Sequence, residues 1–570
     1  MNPDREKNRI RFIFFCFLFF ALILCARLYS IQIIHGREYA DKADRQYVSF
    51  TSNLFDRGNI FFQNKDGSLL GAASLATGYL IAINPQKIID PALTYKNLSG
   101  IIPLDVDWFY SRVNQKNSVY QKIFDQVSED SMKKIEALNI PGLQIVKERW
   151  RYYPGSNDAS QILGFVGYDG DNLVGRYGLE KYYEDVLSRE NNQTYVNFFA
   201  EIFSNIKNTL SDNYKSEGDI VTSIEPTVED FLEKEISVVQ AKFSSKITGG
   251  IIIDPTTGEI YGMAVSPTFD LNKFNEEKNI SLFNNPLVEG LYEMGSIIKP
   301  LTIAAGLDTG AVTANTKYND TGSVTLDKST FYNYDHKARG MINIQEVLNQ
   351  SLNVGAAYVE NKTGKKVFAD YMRAFGLEEE TGIDLPAENH GRLENLKSPR
   401  DIEYATASFG QGISLTPIAT VRALSVLANG GKLITPHIVN KINYTSGIFN
   451  NISYVNEAKQ VIKKETSEEI SRMLTVVVDK ALMNGKESLP HYSVAAKTGT
   501  AQIAKPGGGY YDDRWLHSFF GYFPSYNPRF LVFLYTVEPK GVDFASHTLT
   551  DPFMNITKFL INYYNIAPDR

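Results

Sequence analysis

The sequence predicts an α+β protein. It combines a single N-terminal transmembrane helix, a mixed α/β segment, and a C-terminal domain whose antiparallel sheet is flanked by helices. Three observations carry this. An unbroken apolar run, FIFFCFLFFALILCA, occupies residues 12–26. Two strand–turn–strand stretches, GGIIIDPTTGEIYGMAVS (249–266) and SFFGYFPSYNPRFLVFLYTVE (518–538), lie far apart in the later part of the chain. Helical and strand patterns alternate between them, and strand pairs around a helix-rich middle pack as a sheet covered by helices.

The first element is the apolar run. Its 15 residues reach the roughly 20 that a bilayer core requires once Arg27 snorkels and Leu28, Ile31, Ile33 and Ile34 extend it. Arg5, Lys7, Arg9 and Arg11 precede it, which places the N-terminus in the cytoplasm and the rest outside. A cleaved signal peptide is the alternative, but no small-x-small cleavage pattern follows. Cys16 and Cys25 both fall within the run, and no cysteine follows them. Beyond it the chain therefore has neither a disulfide framework nor a cysteine metal site. The net charge of −7 argues against a nucleic-acid binder, which shows a basic face. The 570 residues, 43% hydrophobic, suffice for two to four domains.

Residues 36–50 are polar and helix-like, as a stalk would be. DRGNIFFQNKDGSLLGAA (56–73) reads as short strands around the turn Asp66-Gly67. SEDSMKKIEALNIPGLQIV (128–146) reads as a helix capped by Ser128 and ended before Pro141. A polar break, SDNYKSEGD (211–219), precedes a strand and a helix opening near Pro226. The expected domains are therefore 1–35 (cytoplasmic tail and anchor), 36–215 (non-catalytic) and 216–570. In the last, Ile251–Ile253 ends at Asp254-Pro255, and Gly258 closes a turn.

Three short stretches carry chemistry. In EMGSIIKP (293–300), Ser296 and Lys299 are three apart, on one helical face with Cβ atoms roughly 5–6 Å apart. Pro300 is tolerated in a first turn, where N–H groups have no partner. The Ser296 N–H is then free for an oxyanion at the positive end of a helix, and a lysine in an apolar setting acts as a base. In LNQSLNVGAAY (348–358), the Ser351 hydroxyl can relay a proton and the Asn353 amide can hold a substrate carbonyl. In VAAKTGTAQ (494–502), an edge strand presents Lys497 as positive charge and the Thr498 and Thr500 hydroxyls for a carboxylate. Gly499 admits a close backbone approach, and the Thr500 N–H is a second oxyanion donor.

Each stretch is weak alone, but S-x-x-K, S-x-N and K-T-G in this order are the set shared by penicillin-binding proteins and class A β-lactamases. The chain resembles a class B penicillin-binding protein over nearly its whole length. DRGNIF (56–61) resembles the start of that family's non-catalytic domain. ILGFVGYDGDNLVGRYGLEKYYEDVL (162–187) resembles its Gly-x-x-Gly-x-Glu region around Gly175, Gly178 and Glu180, and ASFGQGISLTP (407–417) its Gly-Gln-Gly stretch near the active site. Gln63, the Ile-Glu-Pro at 224–226 and Leu352 depart from the common pattern.

The resemblance implies an elongated pedestal or dimerisation-type domain at 36–215 and a transpeptidase domain at 216–570. It implies acyl transfer between peptidoglycan stem peptides, without metal or cofactor. Ser296 attacks the penultimate D-alanine carbonyl, Lys299 takes its proton, and Ser351 and Lys497 protonate the leaving D-alanine. Asn353 orients the donor amide. Lys497, Thr498 and Thr500 hold the terminal carboxylate, beside Gly499. β-Lactams would acylate Ser296. The implied location is the bacterial cytoplasmic membrane, single-pass, with the catalytic domain on the extracytoplasmic side. The implied partners are a polytopic glycan polymerase and divisome proteins, and no nucleic acid. SLNVGAAYV (351–359) is more similar to the division type (FtsI-like) than to the elongation type, where Ser-x-Asp is more usual. A class A β-lactamase would need an extra glutamate base, and none is assignable here; a β-lactam sensor would carry several transmembrane segments where one is seen; and a non-catalytic scaffold would be expected to lose motif residues, all of which are present. A carboxypeptidase is not excluded by motifs.

Overall fold

The computed structural model describes residues 55–170, 172–189 and 217–570, together with Phe20. Among these residues no helix is long and apolar enough to cross a membrane. The expected anchor, the stalk at 36–50 and the boundary near 215 lie outside them.

The described residues fall into two compact units. One holds 75–150. Here Tyr79–Ile83 pairs antiparallel with Gln121–Val127. Three short helices each open on a side-chain cap: Asp90 on Leu93 N–H, Asp105 on Trp108 N–H and Ser128 on Ser131 N–H. The Ser128 cap is the one the sequence predicts. Ile81, Leu98, Phe109, Ile123 and Ile135 form this unit's core.

The second unit holds 57–74, 151–189 and the chain from 217 on. The predicted hairpin is present, with Ile60–Gln63 antiparallel to Leu69–Ala73. Gly67 turns it with φ of 84°, a left-handed conformation that glycine adopts without steric cost. The strand Gly218–Thr222 runs parallel to Ile60–Gln63.

The larger sheet has five strands: β1 (Ile247–Ile253), β2 (Ile260–Ser266), β3 (Ala495–Ala504), β4 (Tyr510–Phe523) and β5 (Phe530–Val537). Their order is β3-β4-β5-β1-β2, all antiparallel, with β3 at an edge. Side chains alternate across such a sheet, and the residues of β1 divide accordingly. Ile252 packs with α1 (Pro226–Phe243) through Val228, Leu232 and Ile236. Ile251 and Ile253 point to the other core, which contains Leu301 and Ile303 of α2 (Lys299–Asp308). Each such aliphatic side chain contributes about 1.5–3 kcal/mol on burial. Nearly every residue of α2 is buried, Lys299, Thr302 and Asp308 among them, so this helix lies within the core. Its first residue is the lysine of S-x-x-K.

The departures from the family pattern have local explanations. Glu225 caps α1 by accepting from Val228 N–H, with Pro226 in the first turn. Gln63 accepts from Asn440 Nδ2 at 2.8 Å. Leu352 is fully buried.

Two of the stretches carrying the resemblance meet inside this unit. Glu180, with no exposed surface, receives Arg57 Nε and Arg151 Nε at 2.6 Å each. Arg57 also reaches the Glu180 carbonyl and Glu184 at 2.7 Å. Removing one partner of a buried ion pair leaves its counterpart uncompensated, at a cost of roughly 3–5 kcal/mol. Glu180→Ala is expected to lower the unfolding free energy extrapolated from a urea melt by that amount, and a loss under about 1 kcal/mol would show that the network carries little stability.

Candidate active site

The polypeptide reaches Ser296 through a 3₁₀ turn, Gly295–Ile298, that runs directly into α2. In a 3₁₀ turn residues i and i+3 eclipse, and the Lys299 N–H closes the turn on the Ser296 carbonyl. Ser296 and Lys299 thus share a face. Pro300 sits in the first turn of α2, so Ser296 precedes the α-helix by one 3₁₀ turn instead of lying in its first α-turn. Gly295 has φ of 64°. A Cβ there would lie 2.6 Å from the Thr500 carbonyl oxygen, so only glycine allows this turn to press against β3.

From the other side, Gly499 serves the same approach. A Cβ on it would meet Ser518 Oγ at 2.3 Å and the Met294 carbonyl at 2.7 Å. Ser518, on β4, donates to that carbonyl at 2.8 Å. K-T-G and the turn that opens S-x-x-K are therefore held in backbone contact, through Gly499 within one motif and Gly295 just before the other.

S-x-N completes the cluster. Asn353 opens α3 (Asn353–Thr363). Ser351, in the turn before it, has φ of 55°, a region uncommon for a residue with a side chain. Lys299 Nζ donates to the Ser351 carbonyl at 2.6 Å and contacts its Oγ at 3.2 Å. Lys497 Nζ reaches the same Oγ at 3.0 Å and donates to the Thr498 carbonyl at 2.9 Å. One hydroxyl therefore lies between two lysines that are 0% and 3% exposed. Their partners are hydroxyl and carbonyl oxygens, which compensate a charge poorly, and burial disfavours the charged form. Burial, and then the charge of Lys497, push Lys299 well below the ordinary lysine range. Burial lowers Lys497 to about 7. A neutral amine beside a serine can accept its proton, and a second amine across a shared hydroxyl can exchange one.

The remaining predicted residues border this cluster. Ser296, Asn353, Thr498 and Thr500 are half-buried, and no described residue hydrogen-bonds the Ser296 hydroxyl. Asn353 Nδ2 donates to the Tyr332 carbonyl at 2.8 Å, leaving its second amide proton and its oxygen for a ligand. Thr500 Oγ1 accepts from Ala545 N–H at 3.2 Å, so its own proton remains available to an anion. The Gly-Gln-Gly stretch touches the turn that carries Ser296, with the Gly410 carbonyl accepting from Gly295 N–H at 3.2 Å.

Sequence reasoning missed Glu293 and Tyr510. The Tyr510 hydroxyl donates to the Glu293 carboxylate at 3.0 Å, across 217 positions. Burial raises the Glu293 carboxyl to about 7. A contact this distant leaves no local signal in the sequence. The carboxylate beside Ser296 was the one hint.

The chain matches the penicillin-binding protein transpeptidase domain over residues 248–557 and the penicillin-binding protein dimerisation domain over 55–222. It is 29% identical to stage V sporulation protein D of Bacillus subtilis, over 99% of this chain and 86% of that one. It is 25% identical to peptidoglycan D,D-transpeptidase FtsI of Buchnera aphidicola, over 100% and 97%. Its fold is similar to penicillin-binding protein 2X of Streptococcus thermophilus, with a TM-score of 0.72 at 18% identity, over 90% and 81% of the two chains. Penicillin-binding protein 3 of Mycobacterium tuberculosis, solved with aztreonam, gives a TM-score of 0.68 at 20% identity, over 91% and 98%. With more than half of its length in the transpeptidase domain, and the dimerisation domain before it, this chain belongs to the penicillin-binding protein transpeptidase family.

Proposed function

We propose that the chain is a serine-type peptidoglycan D,D-transpeptidase that cross-links stem peptides through an acyl-enzyme on Ser296. One observation carries the assignment of roles: the Ser351 hydroxyl shared by two buried lysines at 3.2 and 3.0 Å, beside a serine whose own hydroxyl is free. Ser296 Oγ bonds to the carbonyl carbon of the penultimate D-alanine and gives its proton to neutral Lys299. Collapse breaks the peptide bond, and the departing D-alanine amine takes a proton delivered through Ser351 and Lys497. An amine from a second stem then attacks the ester, loses a proton and releases Ser296. Asn353 orients the donor amide. Lys497 and the Thr498 and Thr500 hydroxyls hold the terminal carboxylate, and Gly499 keeps the strand close. The N–H groups of Ser296 and Thr500 stabilise the oxyanion, each worth about 2.7–4 kcal/mol by analogy with other acyl-transfer enzymes.

The remaining features rest on sequence. The run 12–26 behind four basic residues supports a single-pass anchor in the bacterial cytoplasmic membrane, with residues 36–215 as a non-catalytic domain and 216–570 as the transpeptidase domain outside. Relatives named FtsI and the stretch SLNVGAAYV support action in septal wall synthesis, alongside a polytopic glycan polymerase and other division proteins. β-Lactams, as mimics of the donor, acylate the same serine.

The test is mass spectrometry of products from the full chain supplied with a donor stem ending in D-Ala-D-Ala and an acceptor stem. The expected product is the cross-linked dimer with one free D-alanine. Hydrolysed donor alone would assign a carboxypeptidase. A tagged copy is expected at the septum, and uniform sidewall signal would favour the elongation type.

A further inference from the structure

The segment 317–343 is absorbed by no step of this reaction, yet it grips the S-x-N turn on both sides. It is built of two small hairpins, Lys317–Asp320 with Gly340–Asn343 and Ser323–Leu326 with Ser329–Tyr332. At its base lie Asp320 and Asn333, each 1% exposed. Asn333 Nδ2 donates to both Asp320 oxygens at 3.0 Å. Its Oδ1 accepts from Val354 N–H at 3.1 Å. Asp320 also accepts from Arg339 N–H at 2.9 Å, and Arg339 Nε donates to Gln350 Oε1 at 3.1 Å.

These contacts converge on a strained place. Ser351 is left-handed, a conformation costing on the order of 1–3 kcal/mol that persists only where the surroundings over-determine it. Leu352, at the cap position of α3, supplies no side-chain cap. The orphan N–H of Val354 is met instead by Asn333, 21 residues away. Tyr332, next to Asn333, accepts from Asn353 Nδ2, while Gln350 is held on the other side of Ser351.

We propose that Asn333, aligned by Asp320, is a positioning residue that fixes Ser351 and Asn353 in working geometry. The proposal rests on the transpeptidase reading above. Asparagine fits because one end must donate to a carboxylate and the other must accept from a helix N–H. Asn333→Asp sets two carboxylates against each other. The reciprocal exchange, Asp320→Asn with Asn333→Asp, restores the bond between 320 and 333 and those from Val354 N–H and Arg339 N–H, and gives up only the 3.3 Å bond from Asn333 Nδ2 to the Lys337 carbonyl. The new amide at 320 donates to the new carboxylate at 333 and still accepts from Arg339 N–H, while the carboxylate accepts from Val354 N–H at a helix N-terminus that favours negative charge.

The experiment measures the acylation rate constant and the pre-covalent affinity with a fluorescent penicillin, together with melting temperature. Asn333→Asp is expected to lower the rate constant roughly 10–100-fold, the scale of a small misplacement of reacting groups. The exchange is expected to recover it to within about threefold. An exchange that recovers melting temperature but not rate overturns the proposal, as does a wild-type rate in Asn333→Asp. Where Asn333→Asp does not fold, the exchange decides alone. Where neither folds, Asp320→Asn alone, which keeps one acceptor oxygen at 320 and leaves Asn333 in place but removes the carboxylate that aligns it, decides: an unchanged rate overturns the proposal, and a loss of roughly threefold or more at wild-type melting temperature supports it. Wild-type protein that takes no label at Ser296 would instead refute the transpeptidase reading.

Discussion

Ser296→Ala is expected to abolish covalent labelling by a fluorescent penicillin without disturbing the fold. The hydroxyl is half-exposed and takes no partner among the described residues, so its loss breaks no bond and opens no cavity. Substitutions of that kind fall within about 0.5 kcal/mol in stability. The turn that carries Ser296 is held by other atoms: the Gly295 N–H on Gly410, the Met294 carbonyl on Ser518, and the Lys299 N–H on the Ser296 carbonyl. All survive the substitution. The lysines also keep their bonds to Ser351 and Thr498, but with no nucleophile between them and the substrate they have nothing to activate. Loss of a serine nucleophile elsewhere costs roughly 10⁶ in turnover, which puts the residual rate below detection by gel fluorescence. Melting temperature should match wild type. Retained labelling at the wild-type stoichiometry would place the nucleophile on another residue and dissolve the reading of the site.

Legibility differed between local and distant features. The β1–β2 pair was readable because Ile251–Ile253 is a continuous apolar run ended by Asp254-Pro255 and turned at Gly258, and the structure places both faces of β1 in core. The cap at Ser128 and the helix start near Pro226 were readable for the same reason, since their signals lie within one turn. The S-x-x-K, S-x-N and K-T-G stretches were readable only as a set, because the spacing within each is local while their meeting is tertiary. What the sequence did not disclose is what holds them together. Gly295 and Gly499 look like ordinary small residues until Gly295 is seen against the Thr500 carbonyl and Gly499 against the Met294 carbonyl. Glu293–Tyr510 and Asp320–Asn333–Val354 connect distant positions, and nothing in residue type or periodicity pairs them. The 3₁₀ turn before α2 is a further case. Pro300 announces a helix start but does not specify that the preceding turn tightens to three residues, which is what eclipses Ser296 and Lys299.

Lys299→Met should leave a protein at least as stable as wild type with acylation lowered by about 10²–10⁴, the contribution of a positioned general base. Burial, then Lys497, hold Lys299 well below the usual lysine range. Between that depressed value and the unfolded value near 10.4, the unfolded chain binds more protons than the native one. Wild-type stability therefore rises with pH across the window and is least at its acid end. A methionine of similar length removes this cost, fills the space in a buried helix, and gives up only the bonds to Ser351. The same charges set the activity profile. Acylation requires Lys299 neutral, so the rate rises with pH as the pair sheds its first proton. It requires Lys497 charged to hold the substrate carboxylate, so kcat/KM declines above about 7, where burial places that group in the free enzyme. A bound carboxylate favours the charged lysine, so the decline in kcat should lie at higher pH than that in kcat/KM. In Lys299→Met the rising limb should disappear and the falling limb should remain. A residual rate that keeps its rising limb would take the proton-accepting role away from Lys299, because the group titrating there would still be present.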